Sequence, residues 1–125
     1  MVRAFLVSMV AVLAVGGCTT RPPEAVAALT PTGEAVNCLL VQNIRETRVI
    51  DDQTIDFYTR NGDVYRNRLP NGCPQLGFER AFSYQTSVNQ LCNVDIITVL
   101  MTTSPLQRGA SCGLGKFTPI AKPAP

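Results

Sequence analysis

Four cysteines, Cys38, Cys73, Cys92 and Cys112, are spread over a stretch too short to build a large core, and they constrain the fold more than any other feature. Their spacings of 35, 19 and 20 residues contain no CxxC, so neither a thioredoxin-like motif nor a zinc ribbon fits. An even number of cysteines in a small exported domain reads as two disulfides. Three connectivities are possible. Cys38 and Cys112 lie at the ends of the unit while Cys73 and Cys92 bracket its middle, so the expected pairs are Cys38–Cys112 and Cys73–Cys92. In the chain-entropy account, loops of this size contribute about 3–5 kcal/mol each. That is comparable to the whole stability of a small domain.

Export is itself read from the N-terminus. Arg3 precedes an apolar run from Ala4 to Val15, broken only by Ser8, and Gly16-Gly17-Cys18 follows. Twelve residues are too few to cross a hydrocarbon core, which takes roughly 20 as a helix. The order of charge, apolar run and small residues is that of a signal peptide. Leu13-Ala14-Val15-Gly16-Gly17-Cys18 also resembles the bacterial lipobox, so residues 1–17 are expected to be a lipoprotein signal peptide and Cys18 the acylated, palmitate-bearing first residue. More than one acyl chain gives stable anchoring. Thr19 rather than Asp follows the cysteine, which favours the outer membrane.

Residues 18–36, with Pro22, Pro23 and Pro31 and no aromatic residue, read as a flexible tether. The run from Pro119 to Pro125 reads as a frayed tail, with 121–125 disordered. The folded unit is then about Asn37–Ile120 (37–120). Its Val, Ile, Leu and Phe content, about 29 %, lies above the roughly 20 % below which chains stay disordered.

The local pattern within that unit is β. Arg48-Val49-Ile50 precedes the turn pair Asp51-Asp52, and Thr54–Thr59 alternates with Ile55 and Phe57 on one face. Asn61-Gly62 then separates this run from Asp63-Val64-Tyr65-Arg66, a type I′ hairpin signal needing φ > 0 at both central residues. Ile44–Leu69 is therefore a three-stranded meander. Phe82-Ser83-Tyr84 is a short strand, and Lys116-Phe117-Thr118 makes a last one after a Gly113-Leu114-Gly115 turn. Asp95–Met101, apolar on both faces, reads as a central strand covered on both sides. The expected fold is all-β, a small barrel or sandwich of five or six short antiparallel strands with two disulfides.

At RVIDDQTIDF (48–57), VYRNRLPNGCPQLGF (64–78), LCNVDIITVL (91–100) and SCGLGKF (111–117) the chain resembles a family of small proteobacterial lipoproteins, domain of unknown function 6491. The resemblance implies a single disulfide-containing lipoprotein domain. The family has no assigned activity, so no functional residue carries over from it.

Chemistry is constrained mainly by exclusion. The chain has no histidine, which removes Ser-His-Asp and Cys-His catalysis and imidazole metal sites. A net charge of +2 leaves no electrostatic footprint for nucleic acid. No cofactor or metal motif is found; Gly113-Leu114-Gly115-Lys116 lacks the length of a phosphate loop. The densest feature is Arg45, Arg48, Arg60, Arg66, Arg68 and Arg80, without lysine, against six carboxylates between residues 45 and 80. The guanidinium fork suits phosphate or carboxylate. The first five arginines are thus candidate ligand-binding residues, against the alternative of a solvated sheet face with cross-strand ion pairs. Asp51-Asp52 reads as a turn, and Asp95 as a structural anchor held by an arginine such as Arg80 or by backbone N–H groups.

The expected role is a non-enzymatic binding or accessory module of the cell envelope. It would be lipid-anchored through Cys18 to the outer membrane and face the periplasm, with an envelope protein, peptidoglycan or lipopolysaccharide as partner. The alternative is an envelope hydrolase working with carboxylates such as Asp52, Asp56 or Asp95, since two carboxyls suffice for glycoside hydrolysis.

Overall fold

The computed structural model describes residues 29–103 and 105–122. The expected leader, the lipidation site Cys18 and residues 123–125 lie outside the described residues. Among the described residues there are nine strands, more than the expected five or six: β1 (Cys38–Leu40), β2 (Ile44–Asp51), β3 (Thr54–Thr59), β4 (Val64–Arg68), β5 (Phe82–Tyr84), β6 (Gln90–Cys92), β7 (Ile96–Met101), β8 (Gln107–Gly113) and β9 (Phe117–Ile120). One helical turn, α1 (Leu76–Glu79), lies between β4 and β5. They form an antiparallel four-stranded sheet β2-β3-β4-β9, a three-stranded sheet β5-β7-β8 and the pair β1-β6. The all-β class is confirmed, as three separate sheets sharing one core rather than a closed barrel. Ile55, Phe57 and Phe117 of the larger sheet meet Ile97 and Val99 of the smaller one and Leu39 and Leu91 of the pair. Phe57 packs edge-on against both Phe117 and Phe82, at 5.2 and 6.4 Å between ring centres.

The meander is present as β2-β3-β4, but its second turn differs from the expected one. Gly62 N–H donates to Thr59 O and Thr59 N–H to Asp63 O, so three residues, Arg60 to Gly62, close the hairpin. Gly62 has φ +91°, whereas Asn61 keeps a negative φ. This is a type I-like turn completed by a left-handed glycine, the usual three-residue solution, rather than a two-residue type I′ turn. The Thr59 hydroxyl bonds to the Asn61 side chain, whose amide donates to Asp63, and this network favours the longer loop.

The disulfides also pair otherwise than expected: Cys38 joins Cys92 and Cys73 joins Cys112. Cys38 and Cys92 are directly opposite in the β1–β6 ladder. Cys112, on β8 opposite Ile97, meets the buried Cys73 in the loop after β4. The strand pair that decides this, Cys-Leu-Leu with Gln-Leu-Cys, has neither the aromatic nor the β-branched residues that mark Phe82-Ser83-Tyr84 as a strand. β7 is central in its sheet as expected but covered on one face only: Ile97 and Val99 are buried, while Ile96 is 58 % exposed.

The ordered chain begins earlier than expected, while Ile120, the expected last residue of the unit, is the last residue of β9. Pro119 and Ile120 belong to β9 rather than to a tail. Residues 30–36, within the expected tether, lie along the outer edge of β9: Thr32 N–H donates to Pro119 O, Val36 and Phe117 exchange both bonds, and Ala121 N–H reaches Thr30 O. Because Phe117 and Pro119 turn their backbone groups to this side, the N–H that Pro119 lacks is missing from the edge and not from the β4 ladder.

Candidate functional site

β4 and β9 place three cations on the outer face of the larger sheet. The β4–β9 register runs Arg66↔Thr118 and Asn67↔Phe117, and one further step sets Lys116 opposite Arg68. The turn before β9 is clamped by buried Asn67, whose Oδ1 accepts from Gly115 N–H and whose Nδ2 donates to Gly115 O, at 2.8 and 2.7 Å. A Cβ on Gly115 would fall 2.2 Å from Arg68 O, so the close approach requires glycine. The result is an open depression of about 380 Å³ lined by Arg66, Arg68, Lys116 and Thr118, with Leu29 and Ile120 at its side.

The three cations differ. Arg66 forms a two-bond pair with Asp56, Nε to Oδ1 at 2.8 Å and Nη2 to Oδ2 at 2.9 Å, and Asp56 is 0 % exposed. Its charge is offset there. Arg68 is exposed, and no ion pair among the described residues engages either Arg68 or Lys116. No local pattern marks Lys116, because only the β4–β9 pairing, 48 residues apart at Asn67 and Gly115, brings it beside the arginines.

The other candidate arginines do not join this group. Arg48 lies 4.5 Å over the Tyr58 ring and bonds Glu46 Oε1 at 2.9 Å. Burial raises the Tyr58 phenol above its ordinary pKa, with the Arg48 guanidinium pulling the other way. Arg45 sits 4.0 Å from the same Glu46 carboxylate, and Arg60 donates to Gln42 O across the hairpin end. These are surface ion pairs and backbone contacts of modest value.

The carboxylates hold backbone rather than converge. Asp51 accepts from Gln53 N–H, and Asp52 accepts from Gly77 N–H at 2.7 Å, tying the β2–β3 turn to α1. Asp95 Oδ2 accepts from Cys92 N–H, closing the turn into β7; the partner is a backbone amide and not Arg80. Asp52, Asp56 and Asp95 thus sit in three separate structural roles. Among the described residues no group of three or more His, Cys, Asp or Glu side chains gathers as metal ligands, and no helix is long and apolar enough to cross a membrane.

A family model described as "Family of unknown function (DUF6491)" matches residues 1–122. No curated protein and no solved structure matches the chain.

Proposed function

The chain belongs to this family of unknown function, and from that premise we propose that it is an outer-membrane-anchored periplasmic lipoprotein, a non-enzymatic binding or accessory module of the cell envelope. The observation that carries the reading is the pair of disulfides within so small a domain. Such bridges persist in oxidising compartments and are rare where thiols are kept reduced. The lipobox-like run ending at Cys18 supplies the anchor, and exposed Arg68 and Lys116 leave charged surface for a partner. Engagement of Asp52, Asp56 and Asp95 in backbone and ion-pair contacts favours a binding role over carboxylate hydrolysis.

Cell fractionation of a Cys18→Ser variant tests the anchor. The wild type should sediment with outer membranes after a high-salt wash, and the variant should be released in soluble form. A variant that still sediments after that wash would overturn the reading.

A further inference from the structure

The cationic depression and the point where the chain from Cys18 reaches the sheet are the same place. Leu29 lines the depression beside Arg68 and Lys116, and Pro31 is bridged to Ile120 next to it. Ten residues, 19–28, separate Cys18 from Leu29. Even fully extended they span at most about 40 Å. A domain held through Cys18 therefore keeps this face close to the bilayer, at an effective concentration in the millimolar range or above.

The chemistry of the face fits what lies there. Arg68 offers a guanidinium fork for a phosphate, Lys116 a mobile point charge and Thr118 a hydroxyl. Arg66 adds no net charge because Asp56 offsets it. Asp51 and Asp52 flank Arg68 on its far side, where each has a side-chain oxygen taken by a backbone amide. Half-buried Leu29 places apolar surface beside the cations, over the buried Ile120. We propose that this outer face of β4 and β9 docks on the anionic phospholipid headgroups of the membrane that carries the anchor. The proposal rests on the lipoprotein reading for the nearness of the membrane, and on Arg68 and Lys116 for the affinity.

The test uses the chain from residue 18 onward, which contains every described residue, with Cys18→Ser so that no acyl chain contributes. Flotation is compared on vesicles of neutral phosphatidylcholine and on vesicles with about a third phosphatidylglycerol. Binding should be confined to the anionic vesicles and should weaken with salt. A basic residue at an anionic surface is worth about a factor of five. Neutralising both cations (Arg68→Gln with Lys116→Gln) should thus weaken binding at least tenfold, and Arg68→Glu with Lys116→Glu further still. Arg45→Glu with Arg108→Glu, on other parts of the surface, should leave it within twofold. Equal binding to both vesicles, equal loss in the control pair, or no binding to either vesicle would overturn the proposal. If inorganic phosphate perturbs Lys116 while neither vesicle binds, the depression takes a free anion and membrane docking is wrong. The high-salt wash in the Cys18→Ser fractionation strips electrostatic docking but not an acyl anchor, so failure of either reading is seen without the other.

Discussion

Asp56 and Arg66 show how one residue of register decides a side chain's role. With the three-residue loop, Tyr58 faces Val64 and Asp56 faces Arg66. A two-residue loop at Asn61-Gly62 would slip the pairing by one and set Asp56 against Asn67, leaving Arg66 opposite Phe57. Sequence alternation names Arg66 as a candidate ligand residue; the register instead gives it a buried structural partner. Removing one member of such a pair leaves an uncompensated buried charge, at about 3–5 kcal/mol. Urea denaturation of Asp56→Ala or Arg66→Ala should show a loss of that order, while replacing both by apolar residues of similar volume should cost much less. At the loop itself, Gly62→Val meets a left-handed backbone and the Lys122 ammonium 3.0 Å from the new Cβ. It should lose about 1–2 kcal/mol. Asn61→Gly should lose about 1 kcal/mol as well, since Asn61 bonds both Thr59 and Asp63.

Among elements, α1 is the least favourably built. Gln75 and Arg80, at its two ends, hold φ of 71° and 54°, a region that costs residues bearing a Cβ. Arg80 occupies the left-handed position after the last turn where glycine is the common choice. Arg80→Gly should therefore stabilise the domain by up to about 1 kcal/mol, seen as a raised urea midpoint. About 1–2 kcal/mol of left-handed strain is relieved against about 0.5–1 kcal/mol of backbone entropy. The same turn carries a pH dependence. Glu79 accepts from Thr102 N–H and Oγ1, and the backbone bond, followed by the hydroxyl bond, lowers its pKa from 4.5. A carboxylate lowered by folding contributes stability above the unfolded value and loses it as pH falls through the folded one. Wild type should therefore destabilise below about pH 4.5 more steeply than Glu79→Gln, measured by thermal midpoint against pH. The disulfides join elements far apart in sequence, 54 and 39 residues. Each contributes about 4 kcal/mol in the chain-entropy model. Mass mapping of the unreduced protein should recover Cys38–Cys92 and Cys73–Cys112; any other pairing contradicts the β1–β6 ladder.

For the whole molecule, the stretch at 30–36 is where the domain meets its connection to Cys18. Four backbone hydrogen bonds hold it to β9 and the residue that follows. At a net value of about 0.5–1.5 kcal/mol each, deleting residues through Val36 should destabilise the domain by about 2–6 kcal/mol. It should also expose the β9 edge and favour self-association. Chemical denaturation with analytical ultracentrifugation checks both outcomes.

What the sequence determined by itself was local. β3, β4, β5, β7 and β9 are marked by alternation, β-branched residues or the turns beside them, and the Asx turn at Asp51 follows from that residue's short acceptor side chain. Only the tertiary structure decided which cysteine meets which, that residues 30–36 join a sheet edge, that Arg66 is paired with buried Asp56, and that Lys116 rather than Arg45 or Arg48 stands beside Arg68. Each of these depends on strand neighbours and on a register good to one residue. Those are set by the joint packing of Leu39, Phe57, Leu91 and Phe117 in one core, a long-range condition that no short window of sequence contains.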